Sequence, residues 1–184
     1  MSLELLGGRV LAPYFGSSIY VWGSIITIFM LSLSAGYLLG GRWSVHQPSL
    51  RKFGVIFIAA AALLCPLVFF AEPSMQWIFE HIEDPRYGSL AAATLLFMVP
   101  TIILGMISPY SVRLLVVNVR ESGRTAGQLY FVSTLGSALG TLFTSFYFVL
   151  WFEINQIIIG LTTALVLLWA ATWFWAIEDK AVKP

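Results

Sequence analysis

Residues 10–41 read VLAPYFGSSIYVWGSIITIFMLSLSAGYLLGG and contain no Asp, Glu, Lys or Arg. An apolar stretch of about 18 or more residues can cross the ~30 Å hydrocarbon core as a helix. Four further uncharged runs follow, at 53–71, 87–112, 125–152 and 154–177. Charged residues fall almost only between the runs. The 184-residue chain is 59% hydrophobic and 10% charged, whereas soluble domains average about 25% charged. Lipid is therefore the solvent this composition requires. The expected fold class is all-α: a polytopic integral membrane helical bundle of five spanning helices plus an N-terminal partial helix. One transmembrane domain covers 1–184. It comprises an N-terminal segment at 1–16, spans near 17–41, 53–71, 89–110, 127–151 and 156–176, and a tail at 177–184.

The net charge of +1 argues against a nucleic-acid partner, which needs a basic patch. Cys65 is the single cysteine, so no internal disulfide forms, and a lone membrane thiol reads as a packing residue. Residues 1–12 lack the basic start and apolar stretch of a cleavable signal.

The gaps alternate in charge. Arg42, Arg51 and Lys52 flank the first gap. Glu72, Glu80, Glu83 and Asp84 outnumber Arg86 in the second. Arg113, Arg120 and Arg124 dominate the third, and Glu153 stands in the fourth. Lys180 and Lys183 lie in the tail. Lys and Arg near helix ends favour the cytoplasm, which predicts an N-terminus out and a C-terminus in, with a bacterial inner membrane as the expected location. Tyr20, Trp22, Trp77, Trp151 and Phe152 then form an outer aromatic belt. Trp43, Tyr110, Tyr130, Trp173 and Trp175 form an inner one.

Met75, Ile78, Phe79 and Ile82 recur at helical spacing. They predict a short helix starting at Pro73 and lying flat in the outer interface, with a substrate lid as the alternative. Ser32, Gly36 and Gly40 share one helix face, as do Gly136, Gly140 and Thr144. Small residues let helix backbones approach in lipid. Both faces are expected in the interior, against each other, as packing surfaces or as the lining of a polar path. Pro66, Pro100 and Pro109 are expected to kink their helices.

Chemical motifs are scarce. No metal-ligand cluster, phosphate loop or dinucleotide fingerprint occurs, and no catalytic, cofactor or metal residue is assigned. His46 and His81 are expected on opposite sides of the membrane, so they cannot share a haem or metal. No histidine lies in a span to activate a serine. Glu4 and Arg9 are placed at the outer end of the first segment as a loose polar pair. A pump would be expected to hold an ionisable group nearer mid-membrane.

Residues 4–22 (ELLGGRVLAPYFGSSIYVW), 36–42 (GYLLGGR) and 127–141 (GQLYFVSTLGSALGT) resemble, in order and spacing, the membrane domain of spermidine-synthase-like proteins. In that family a transporter-like membrane domain is fused to a soluble aminopropyltransferase. The resemblance implies a further helical segment before Glu4 and six helices in a full version. The aminopropyltransferase domain has no counterpart in these residues, so its activity and catalytic groups are not carried over.

Three functions fit. The first is a non-catalytic membrane module that anchors or assembles with a protein partner or a second copy. The second is a transporter or half-transporter for a small solute, polyamines included. The third is an accessory subunit of a larger membrane complex. The lipid bilayer is a partner in all three.

Overall fold

The computed structural model describes residues 1–116, 118 and 121–182, with side chains as far as Ile177. Arg120 and Lys183, which contribute to the charge pattern, lie outside the described residues. Among the described residues the chain is almost wholly helical and has no strand. The helices are α1 (Ser2–Phe15), α2 (Ile19–Val45), α3 (Leu50–Leu64), α4 (Leu67–His81), α5 (Pro85–Gly105), α6 (Ile107–Leu115), α7 (Ser122–Phe143), α8 (Val149–Trp151) and α9 (Ile154–Val182). A π-helical turn, Thr144–Phe148, joins α7 to α8.

Four spans are long and apolar enough to cross a membrane: Ile19–Val45, Pro85–Leu115, Ser122–Trp151 and Ile154–Ile177. The pair α3 and α4, bent by 48°, makes a fifth if taken as one broken span. The architecture is an all-α bundle that fits an integral membrane protein. Arg42, Arg51, Lys52 and Arg113 gather at one end, where Trp43 and Phe53 pack on Tyr110. We call this the basic end. The α4–α5 turn, with Glu83 and Asp84, marks the acidic end.

The central pair is α2 against α5 and α6. Val21, Ile25, Ile28, Ser32, Gly36, Gly40 and Ser44 form the buried stripe of α2, recurring at helical spacing. A Cβ at Gly36 would strike the Ile102 carbonyl oxygen, and one at Gly40 would stand 2.6 Å from the Met106 carbonyl oxygen. These glycines let two backbones touch. A second close approach joins α3 to α9: a Cβ at Gly54 would lie 2.6 Å from Thr172 Oγ1. Arg51 sits over the Trp173 ring at 5.4 Å.

The small faces of α2 and α7 do not meet each other, contrary to expectation. Gly36 and Gly40 are taken up by α5 and α6. On α7, Gly136 has open space beside it and Gly140 faces Ser2, while Thr144, in the π-helical turn that follows, is buried and bonds to Ser2. No residue of α7 is buried.

Pro66 marks the α3–α4 bend. Pro100 leaves α5 continuous; its ring lies on the buried face. The third span breaks instead at Met106, three residues before Pro109. Proline has no N–H for the carbonyl four residues back and its ring crowds that group, which here is Gly105.

The outer-loop helix is not separate. Pro73 lies inside α4, and its face packs on protein rather than lying flat in the interface. Met75 and Ile78 are buried, and Phe79 makes edge contacts with Tyr14 and Phe15. Tyr110 is likewise no belt residue. It is fully buried, and its hydroxyl accepts from the Ser49 N–H at 3.2 Å.

Candidate functional site

The first helix decides the site. Leu3, Leu6, Gly7, Gly8, Leu11 and Phe15 are buried along α1. Its glycines receive aromatic rings: Phe97 packs on Gly7 and Trp22 on Gly8. At its far end Phe15 packs on Gly88 of α5. Gly16, at φ 74°, then turns the chain into α2, a conformation that glycine adopts without a Cβ penalty.

This packing sets the depth of α1. Phe15 lies at the acidic end, and α1 rises about 1.5 Å per residue away from it. The beginning of α1 therefore lies inside the bundle. Ser2 Oγ donates to the Gly140 carbonyl at 3.3 Å and accepts from Thr144 Oγ1 at 2.9 Å, well within the α7–α8 span. The charge pattern placed the N-terminus and the Glu4–Arg9 pair at the outer end. Apolar burial of α1 instead sets Ser2 against the middle of α7, away from the acidic end, while the Met1 side chain stays 59% exposed.

Glu4 and Arg9 also separate. Five residues apart, they lie about 140° apart around a helix. Arg9 faces a cavity of about 520 Å³ toward the acidic end, shared with Glu72, Glu153 and Asn155. Glu4 faces a cavity of about 450 Å³ between α1, α2, the α5–α6 break and α7. The two cavities lie on different sides of α1.

The Glu4 cavity occupies the middle and basic half of the spans. Its polar wall comes from Tyr37, Thr101, Ser108, Ser111, Ser133 and Ser137. Gly105 also lines it, and Pro109 cannot donate an N–H to that residue's carbonyl.

Thr101 distinguishes this wall from the rest of the bundle. Hydroxyls in apolar helices usually bond back to a carbonyl of their own helix. Ser34, Thr94, Ser111, Thr141, Thr162 and Thr163 all do so, at 2.7–2.9 Å. Thr101 is 2% exposed, yet its Oγ1 has no hydrogen-bond partner. Ser32 on the facing helix is also buried and unpaired. A buried hydroxyl left without a partner costs roughly 1–3 kcal/mol.

Sequence reasoning singled out Ser32, Gly36, Gly40, Gly136, Gly140, Thr144 and Glu4, and missed Thr101. No local pattern separates Thr101 from Thr94. The position of Glu4 was signalled by Leu3, Leu6, Gly7 and Leu11, a buried helical stripe preceding the first long run. His46 and His81 lie at opposite ends, and among the described residues no three His, Cys, Asp or Glu side chains come together.

No family model, no curated protein and no solved structure matches the chain. The spermidine-synthase-like resemblance thus gains no support from these comparisons.

Proposed function

We propose that the protein is a membrane carrier, or half of one, for a small cationic solute. The observation behind this reading is a carboxylate, Glu4, in the wall of a mostly apolar cavity that also carries six hydroxyl side chains, at the depth of the spans. Ionisable groups at that depth are costly and mark substrate or ion paths by default. A broken helix lies beside the cavity, as at the cation sites of carriers. Five spans are few for a carrier, and α7, with no buried residue, offers the surface on which a second copy or a partner subunit would pack. That same sparse packing favours a second reading, a non-catalytic module docked on a partner protein.

The charge pattern orients the carrier with its basic end in the cytoplasm, in a bacterial inner membrane. In right-side-out membranes an impermeant thiol reagent should label Glu83→Cys and spare Ser49→Cys. The reverse labelling would invert the orientation.

Reconstituted vesicles should show saturable uptake of a small organic cation, lost in Glu4→Gln. Absence of flux across a panel of such cations, or flux unchanged by Glu4→Gln, would contradict the carrier reading. Recovery of a stoichiometric partner protein in place of flux would favour the docked module.

A further inference from the structure

We infer that the Arg9 cavity seats one phosphatidylethanolamine, its phosphate on Arg9, its ammonium on Glu72 and Glu153, and an acyl chain in the groove beside α8 and α9. This site lies across α1 from the Glu4 cavity and stands apart from the carrier reading. Three observations lead there.

The first is a set of opposite charges left open to the same space. Arg9 comes from α1, Glu72 from α4 and Glu153 from the turn between α8 and α9, and all three line the cavity of about 520 Å³. Each is exposed. Among the described residues, none of the three charged groups makes an ion pair or a hydrogen bond. The Glu153 N–H donates to Gln156 Oε1 at 3.1 Å, which leaves its carboxylate to the cavity. A guest with both charges can bridge groups that do not close on one another.

The second is the order of those charges. A guanidinium presents a planar fork that matches a phosphate. Two carboxylates are acceptors only, and a primary ammonium brings three N–H donors. Ethanolamine has that ammonium, whereas choline has no N–H to give. The net negative wall disfavours a headgroup that is itself anionic.

The third is what adjoins the cavity. A groove of about 360 Å³ shares Phe152 and Ile157 with it and continues past Phe148, Gly160 and Leu161. A Cβ at Gly160 would meet nothing within 4 Å, so glycine keeps this groove clear. Ile157 also belongs to a packed cluster with Leu6 and Ile158, which gives the site a firm floor. Glu153 joins the last two spans, at the level where headgroups lie. A charged cavity at that level with an apolar groove running toward the span interior fits a lipid better than a soluble zwitterion.

Native mass spectrometry of the purified protein in mild detergent tests this, with phosphatidylethanolamine, phosphatidylcholine and phosphatidylglycerol of matched chains as probes. One phosphatidylethanolamine should bind about tenfold more tightly than either other lipid, the worth of one charge-assisted hydrogen bond. Arg9→Gln should weaken it by a similar factor. The double variant Glu72→Gln, Glu153→Gln keeps Arg9 and should turn the preference toward phosphatidylglycerol. Gly160→Leu should fill the groove and weaken the diacyl lipid, and soluble glycerophosphoethanolamine should compete poorly. Gel filtration checks that each variant folds, and the double variant decides the matter if Arg9→Gln does not. Equal binding of all three lipids would mean annular lipid only and would overturn the site. A preference unchanged in the double variant would overturn it as well. Competition by glycerophosphoethanolamine as strong as by the lipid would overturn the choice of a lipid guest.

Discussion

At the residue scale, the same amino acid has opposite consequences at two positions. Gly36 and Gly136 were singled out by the same argument, small residues spaced four apart on a long apolar helix. Only Gly36 touches a neighbouring backbone. Gly36→Val should cost about 3 kcal/mol, the top of the usual range for overpacking, because the obstacle is backbone that cannot rotate away. Gly136→Val should change stability by less than about 0.5 kcal/mol. Unfolding of the two variants in mixed micelles checks the pair, and equal losses would show that α7 is packed as tightly as α2. Glu4 teaches the complementary lesson. Its charge was plain in the sequence, but its depth depends on where α1 docks, and that is fixed by rings from α2 and α5 seating on Gly7 and Gly8.

At the scale of elements, uncharged runs located every long helix. Run length measures hydrophobic thickness, which is a local property. Breaks were less legible. Pro66 and Pro109 coincide with or shortly follow one, while Pro100 and Pro73 sit inside continuous helices. A proline only removes a donor; whether the helix parts depends on what else supports the freed carbonyl. The π turn at Thr144–Phe148 carried no sequence signal. The Val149 N–H reaches back five residues to the Thr144 carbonyl, and the Thr144 side chain is held by Ser2. That contact is tertiary, so no reading of α7 alone could supply it. The amphipathic face of α4 was read correctly, but its partner was not. Periodicity identifies an apolar stripe without saying whether lipid or protein covers it.

At the scale of the whole molecule, two halves differ in how they are packed. The helices α1 to α5 enclose the main apolar core, whereas α7 supplies one wall of the Glu4 cavity and buries no residue of its own. The account therefore requires water on one side of α7 and lipid or a packed subunit on the other, at the same depth. Cysteine accessibility measures this directly, in a Cys65→Ser background in native membranes, with a charged water-soluble thiol reagent. Cysteines at Ser133 and Ser137 should react, and cysteines at Phe131 and Leu139 on the same helix should not. If positions 133 and 137 are as inert as 131 and 139, no aqueous cavity reaches Glu4 and the carrier account fails.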